Sequence, residues 1–272
     1  MTRQAKWVQS LMDALRREGL DSVEGAFGYA GGEDLHKPEL GHRRRTRLCL
    51  EDDDGRKHEV YLKRYDCEPF FRRLRRWLTY GIRRSPASIE FDNIRTAAAA
   101  GLSTMPALAC GQEQRFLRDG RSYLFVAAVP GESLERCGDE FLAGHHDTPQ
   151  AVSELTAALA EMVRKLHAAG YVHRDLYAAH VFLHEADGRI ELYLIDLARM
   201  FQPRWRRFRW RVKDLAQLKY SMPDRWVEPC WQKFLATYLG RDWARHLDCY
   251  RRAVDRKVAD MRRRAQRRRK EM

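Results

Sequence analysis

Long apolar runs are missing from this sequence. The longest, Tyr123–Pro130, is far shorter than the ~18 apolar residues that a membrane-spanning helix requires. Residues 1–20 carry charge throughout and contain no apolar core of the kind found in secretory signal peptides. From these two absences we expect a chain that stays in the cytoplasm.

Closely spaced cysteines are missing as well. The six cysteines stand singly at positions 49, 67, 110, 137, 230 and 249, and no CxxC pair occurs. Disulfide frameworks and zinc sites depend on cysteines at short, regular spacing. We therefore expect reduced thiols and no cysteine-based zinc site.

Acidic residues are too few to balance the basic ones. Lys and Arg number 51 and Asp and Glu number 38, which leaves a net charge of +13. Excess positive charge attracts polyanions, so nucleic acid, an anionic membrane surface and an acidic substrate are all candidate partners. The 44% apolar and 33% charged residues are typical of a globular protein and exclude a disordered chain.

Residue patterns predict an α+β fold, with strands concentrated before residue 130 and helices after it. Apolar spacing, capping residues and turn signals define the elements. They are a helix at 4–18, strands at 43–50 and 59–64 joined by a turn at 52–55, a helix between Ser85 and Gly101, strands within 105–129, a helix at 151–169, a hairpin of 181–184 with 191–197 and a turn at 187–188, and helices from 205 onward. Gly131 marks a boundary, so we predict two lobes, 1–130 and 131–272.

Two aspartates bracket the predicted hairpin. The motif YVHRDLYAAHVFL at 171–183 follows the long helix, and the second hairpin strand ends in LIDLA at 194–198. Phosphoryl transfer needs one carboxylate to orient the attacking hydroxyl and accept its proton, and another to hold a metal ion against the phosphates. We predict a kinase with Asp175 as catalytic base and Asp196 as metal ligand. A surface tripeptide and a turn cap are the alternative reading.

Donor-binding residues are expected upstream of this motif. A kinase requires a lysine on a strand and a glutamate on the following helix. VYLKRY supplies Lys63 and SPASIEFDNIR supplies Glu90. We predict that Lys63 contacts the phosphates of ATP and that Glu90 holds it by an ion pair, with solvated surface charges as the alternative. The glycines within 25–32 are candidates for covering the phosphates, but they form no GxGxxG motif, and a flexible loop is the alternative.

The chain resembles the Kdo/WaaP lipopolysaccharide kinase family from about residue 40 to 220. The resemblance rests on HRDLY followed by His180, on IDLAR, on RVKDLAQL at 211–218 and on the segment 98–111. It implies a bilobal protein-kinase-like fold with a small antiparallel-sheet N-lobe and a mainly helical C-lobe. It also implies ATP as donor, Mg²⁺ or Mn²⁺ as metal, and a hydroxyl of heptose or Kdo (3-deoxy-octulosonate) in the lipopolysaccharide inner core as acceptor.

The resemblance makes His180 a metal-site residue, because it stands where protein kinases have an asparagine ligand. Imidazole nitrogen is a poor ligand for Mg²⁺, which prefers oxygen. Direct binding, binding through water, a hydrogen bond to Asp175 or Asp196, and a satisfied interior histidine all stay open. We expect His167 to be structural and Asp214 to brace the backbone of the catalytic loop.

Three basic stretches, 70–84, 199–213 and 251–270, suggest the location of the protein. The first mixes arginine with apolar side chains, a pattern suited to an anionic membrane surface. Those side chains are Phe70, Phe71, Leu74, Trp77 and Leu78. We predict a peripheral protein on the cytoplasmic face of the inner membrane. A solvated helix is the alternative, and nucleic acid is the least favoured partner.

Other functions of the same fold compete with a lipopolysaccharide kinase. A protein kinase, a small-molecule kinase and an inactive module that docks on RNA or anionic lipid are the alternatives. Retention of Lys63, Glu90, Asp175 and Asp196 argues against the inactive module. The segment 197–213 carries seven Lys or Arg residues and no acid, and it lacks an APE-like element. A polyanionic acceptor therefore fits better than a peptide.

Overall fold

The computed structural model describes residues 3–35, 43–80, 84–115, 118–145, 149–186 and 188–270. The chain divides into two compact units, Met1–Thr96 with Met105–Val129 and Ala97–Thr104 with Pro130–Met272. Every helix in the described ranges is too short or too polar to cross a membrane.

An antiparallel sheet forms the centre of the first unit. Its described strands, in the order β1-β2-β3-β5-β4, are β1 (Glu33–Asp34), β2 (Arg43–Glu51), β3 (Lys57–Tyr65), β4 (Ala107–Arg115) and β5 (Arg118–Ala127). The turn between β2 and β3 forms as predicted, because Gly55 takes a φ of +77° and donates its N–H to the carbonyl of Asp52 (3.0 Å). The register places Lys63 opposite Leu124 of β5, on a central strand.

Two helices pack on this sheet and complete its apolar core. α1 (Arg3–Arg17) confirms the predicted helix at 4–18, and α2 (Val23–Gly28) follows it. Both contribute buried apolar residues to one cluster with the strands: Leu11, Leu15, Ala26, Leu48, Leu50, Val60, Leu62, Leu108 and Phe125. The flexible loop considered for the glycine-rich segment is wrong for residues 25–28, which are helical.

Glycines in that segment have local structural explanations. A Cβ at Gly25 would clash with the carbonyl oxygen of Gly19 in the turn before α2. Position 25 of the helix therefore requires glycine. Gly32 has a φ of +82°, a conformation that glycine adopts at low cost. Packing and backbone conformation thus account for these two glycines without a ligand.

Two further helices, α3 (Phe70–Tyr80) and α4 (Pro86–Ala99), follow β3. α3 lies in the predicted basic-aromatic segment 70–84, of which residues 81–83 lie outside the described residues. α4 begins as predicted, because the N–H of Ser88 donates to Ser85 Oγ (3.1 Å). Gly101, with a φ of +77°, follows its end.

Helices dominate the second unit. They are α5 (Leu134–Gly144), α6 (Pro149–Ala168), α7 (Arg207–Ser221), α8 (Asp224–Leu239) and α9 (Trp243–Lys270). The predicted apolar face of α6, including Leu155, Leu159 and Leu166, is buried. Trp226 of α8 is fully buried and donates its Nε1–H to Thr156 of α6 (3.1 Å). The mainly helical second unit and the antiparallel sheet of the first confirm the α+β fold class.

A small antiparallel sheet of β6 (Glu132–Ser133), β7 (Val181–Ala186) and β8 (Arg189–Leu194) completes the description of this unit. The predicted hairpin forms, although Asp187 of its turn lies outside the described residues. Its second strand ends at Leu194, so the predicted extension to residue 197 is wrong. The reason is Asp196, whose left-handed φ of 57° and ψ of 59° leave the strand and start a short 3₁₀ turn, Leu197–Arg199.

Candidate active site

A buried ion pair joins β3 to α4. Lys63 Nζ donates to Glu90 Oε1, and the hydroxyl of Tyr65 donates to Glu90 Oε2. Glu90 is fully buried and Lys63 is 8% exposed. Because buried charges are tolerated only when they are paired and hydrogen-bonded, this geometry confirms the predicted pair. It excludes the alternative of two solvated surface charges.

Asp214 holds the backbone of the predicted catalytic loop. Its buried carboxylate accepts the N–H groups of His173 (2.7 Å) and Arg174 (2.8 Å). His167 Nε2 lies 3.3 Å from the same carboxylate, and its Nδ1 lies 2.8 Å from the hydroxyl of Tyr238. The expectations that Asp214 braces the loop and that His167 is structural are both confirmed.

The residue before Asp175 adopts a strained backbone conformation that its neighbours maintain. Arg174 has a φ of 74°, which is uncommon for a residue with a side chain. Lys213 Nζ donates to the carbonyl oxygen of Arg174. The guanidinium of Arg174 lies over the ring of Trp210 (5.6 Å). Burial lowers the pKa of the Lys213 ammonium, although the carboxylates of Asp175 and Asp214 act in the opposite direction.

Asp175 is half-buried, and its carboxylate meets one guanidinium. Arg199 Nη1 lies 3.0 Å from Oδ1 and 2.8 Å from Oδ2 of Asp175. Arg199 ends the short turn that begins after Asp196. The hairpin therefore returns the chain to Asp175, as the two bracketing aspartates predicted, and it brings an arginine that was not predicted to contact this carboxylate.

His180 stands between the two aspartates. Its Nδ1 is 2.7 Å from the backbone carbonyl of Asp175, and its Nε2 is 3.7 Å from Asp196 Oδ2. A carbonyl oxygen only accepts hydrogen bonds, so Nδ1 carries a hydrogen and Nε2 faces the carboxylate. The structure thus connects His180 to the backbone of Asp175 and to the side chain of Asp196.

A second histidine packs behind His180. His173 is fully buried, its Nε2 donates to the carbonyl of Ile195 (3.0 Å), and its ring centroid is 5.8 Å from that of His180. Burial lowers its pKa, which favours the neutral imidazole. His173 therefore supports the segment that carries Asp196 through its hydrogen bond to Ile195.

A short basic turn lies between Asp196 and α7. Phe201 pairs with Val172 through two backbone hydrogen bonds (3.0 and 3.1 Å), which fix the start of the turn beside the predicted catalytic loop. Beyond it Pro203 is buried, whereas the following side chains are exposed, and the indole of Trp205 is 85% exposed. The exposed basic residues here are Arg204 and Arg206 of the turn and Arg207 at the start of α7.

Sequence reasoning missed three residues that contact predicted site residues within the two units. Tyr65 shares the carboxylate of Glu90, Arg199 binds Asp175, and Lys213 holds the loop carbonyl. Tyr65 stands two positions after Lys63 on a strand and therefore faces the same side. Arg199 and Lys213 lie in the motifs IDLAR and RVKDLAQL and in a basic stretch, but no contact of their own was predicted for either.

Comparisons with known proteins agree with this geometry. The family model described as "Lipopolysaccharide kinase (Kdo/WaaP) family" matches residues 38–238, well over half of the chain. The chain is 34% identical over 143 residues to lipopolysaccharide core heptose(I) kinase WaaP of Pseudomonas aeruginosa. The aligned residues cover 50% of this chain and 52% of that protein. It is 31% identical over 144 residues to the protein of the same name in Escherichia coli K12, with the same coverage. The chain thus spans about half the length of the curated relatives it matches.

A solved structure is similar over more of the chain. The structure described as "WaaP in complex with acyl carrier protein" has a TM-score of 0.67 and 26% sequence identity, and it covers 90% of this chain and 95% of that chain. The predicted protein-kinase-like fold class and the predicted family resemblance are both confirmed.

Proposed function

The chain belongs to the lipopolysaccharide kinase (Kdo/WaaP) family, and from this premise we propose that it transfers phosphate from ATP to a sugar hydroxyl of the lipopolysaccharide inner core. The observation that supports the proposal most is the loop that presents Asp175, because buried Asp214 holds its backbone and His180 links it to Asp196. Heptose and Kdo are both candidate acceptors, and the name of the curated relatives favours heptose.

Asp175 is the proposed catalytic base. It orients the acceptor hydroxyl and takes its proton while the hydroxyl oxygen bonds to the γ-phosphorus of ATP and the bond to the departing ADP breaks. The braced backbone keeps the carboxylate in position during this step. Asp175→Asn keeps the shape of the side chain and removes the proton acceptor.

Lys63 is the proposed ligand of the ATP phosphates. Its ammonium is held by a buried carboxylate, so it is oriented before the donor binds, which is the role of such a pair in kinases. We propose that the predicted boundary between the two lobes also separates two functions. The lobe 1–130 binds the nucleotide, and the lobe 131–272 carries the catalytic loop.

Asp196 and His180 are the proposed metal residues. Among the described residues no three His, Cys, Asp or Glu side chains cluster as a metal site. A carboxylate and one imidazole fit Mg²⁺ only if water and phosphate oxygens complete the shell, which is how Mg²⁺ usually binds. The ion, when bound, neutralises phosphate charge. Asp196→Ala should abolish metal-dependent activity, whereas His180→Asn should remain active with Mg²⁺ unless the imidazole has a role of its own.

The exposed basic turn is the proposed acceptor platform. Kdo carries carboxylates and the lipid anchor carries phosphates, and arginine binds both groups through paired hydrogen bonds. Ala at Arg204, Arg206 and Arg207 should raise the acceptor KM more than the ATP KM. Ala at Arg267, Arg268 and Arg269, exposed at the end of α9, removes the same charge elsewhere and is the matched control. An equal effect of the two triple variants would contradict a local platform.

Acceptor choice tests the proposed function as a whole. The purified chain is incubated with γ-labelled ATP and Mg²⁺, with separate acceptors: lipopolysaccharide lacking core phosphate, casein-like peptide, basic peptide and aminoglycoside. We expect label in the lipopolysaccharide core and little in the others. Strong peptide labelling without transfer to lipopolysaccharide would favour the protein-kinase alternative.

α3 is the proposed contact with the membrane surface. Phe71 and Leu78 are 82% and 81% exposed, and Phe70 is 56% exposed. An exposed apolar face flanked by arginine suits the interface of an anionic bilayer. We propose a peripheral protein at the cytoplasmic face of the inner membrane. We also propose that this chain binds acyl carrier protein, the partner named for the solved neighbour. Co-elution of the two purified proteins tests this proposal.

A further inference from the structure

The carboxylate of Asp175 has a cationic neighbour at both of its oxygens. Arg199 Nη1 is within 3.0 Å of both of its oxygens. A carboxylate has about four acceptor positions, so a hydroxyl that approaches Asp175 shares the carboxylate with the guanidinium and must approach from the sides that Arg199 leaves open. The contact with Arg199 therefore restricts the directions from which a hydroxyl, including that of water, reaches the proposed base.

The contact can be released without moving the backbone. Leu197 and Met200 on either side of Arg199 are fully buried, and the N–H of Met200 donates to the carbonyl of Leu197 (3.1 Å). The side chain of Arg199 is itself 50% exposed. The turn is thus anchored while the guanidinium is free to rotate toward another anion.

An anionic acceptor is suited to draw the guanidinium away. Exposed ion pairs of arginine with a carboxylate are weak, and arginine binds phosphate or carboxylate groups of a ligand through two parallel hydrogen bonds. Arg199 also begins the stretch of cations that we propose as the acceptor platform. A polyanion bound there competes directly with Asp175 for Arg199.

We propose that Arg199 is a specificity-determining residue that frees Asp175 only when an anionic acceptor binds. This inference rests on the proposed function and deepens it. Without the contact from Arg199, ATP is hydrolysed when no acceptor is bound. A water oxygen bonds to the γ-phosphorus, the bond to ADP breaks, and the proton of water passes to Asp175. The Arg199–Asp175 contact suppresses that hydrolysis and couples transfer to the charge of the acceptor.

Arg199→Gln tests the inference through two readouts, phosphate release without acceptor and transfer to lipopolysaccharide lacking core phosphate. We expect acceptor-independent hydrolysis to rise at least about threefold, while the acceptor KM rises and the ATP KM changes little. Arg199→Lys, which keeps the charge, should restore much of the wild-type suppression. Arg164→Gln is the matched control, because Arg164 is 47% exposed and paired with Glu161, and it should leave both readouts unchanged.

The outcomes separate this inference from the proposed function. If wild-type protein transfers phosphate, Asp175→Asn does not, and Arg199→Gln hydrolyses ATP no faster than wild type, only the role of Arg199 is overturned. Equal loss of hydrolysis and transfer in Arg199→Gln would likewise overturn it, since that pattern indicates a structural role. If wild-type protein transfers phosphate to no acceptor, the proposed function and this inference fall together.

Discussion

Replacing Glu90 tests the buried pair that we propose to orient the donor. Both carboxylate oxygens of Glu90 are used, one by Lys63 and one by Tyr65. The side chains of Lys63 and Glu90 are 10% and 1% exposed. Glu90→Leu therefore leaves an ammonium group inside the protein without its counter-charge. Lys63→Met likewise leaves the carboxylate of Glu90 inside the protein without its counter-charge.

The size of the effect follows from this burial. Removing one partner of a buried pair costs about 3–5 kcal/mol, whereas replacing both by apolar residues of similar volume is often neutral. We expect each single variant to lose about 3–5 kcal/mol of unfolding free energy. The double variant Lys63→Met/Glu90→Leu should lose less than either single variant. All three should bind ATP weakly, because the lysine is absent or misplaced.

Urea unfolding of the nucleotide-free protein measures the cycle. The exposed pair of Asp13 and Arg16 provides the control, because its side chains are 40% and 55% exposed. Its cycle should give a coupling below about 1 kcal/mol. Additive losses at Lys63 and Glu90 would refute the reasoning, since two independent charges need no partner.

Three further predictions concern the loop, the interior and the surface. Asp214→Asn removes one acceptor of a backbone N–H, so it should cost about 1–3 kcal/mol in urea unfolding and slow phosphate transfer. Because burial lowers the pKa of His173, the unfolded chain takes up this proton at a higher pH than the folded chain, from about pH 6.5 downward. Stability should therefore decline from pH 6.5 toward pH 5 by at most about 1.4 kcal/mol per pH unit from this residue, and His173→Gln should flatten the slope. Ser at Phe71, Trp77 and Leu78 should weaken sedimentation with anionic vesicles, and added salt should weaken it further; unchanged binding would rule out insertion of α3.

Much of the fold was predictable because its signals are local. The helix α4 starts at a capping serine and a proline, and α6 shows apolar residues on one face. Such signals depend on neighbours within a few positions. The pair of Lys63 and Glu90 and the brace at Asp214 were also predictable, because motif order indicated both.

The remaining features depend on contacts that sequence spacing does not show. The end of β8 at Leu194 follows from the left-handed conformation of Asp196, a non-glycine residue that gives no signal of its own. The contact of Arg199 with Asp175 joins residues 24 positions apart, and any of the seven cations in its stretch was an equal candidate. The roles of Asp175, Asp196 and His180 in catalysis stay predictions.

The central claim is transfer of phosphate from ATP to an inner-core sugar with Asp175 as base. The most direct test is mass spectrometry of the lipopolysaccharide core after incubation with ATP and Mg²⁺, for wild-type protein and Asp175→Asn. We predict a phosphate ester on a core sugar with wild-type protein. We also predict a rate at least about a hundredfold lower with Asp175→Asn, the scale of a lost general base, while ATP still binds. An unmodified core with wild-type protein, or equal rates for the two proteins, would contradict the account.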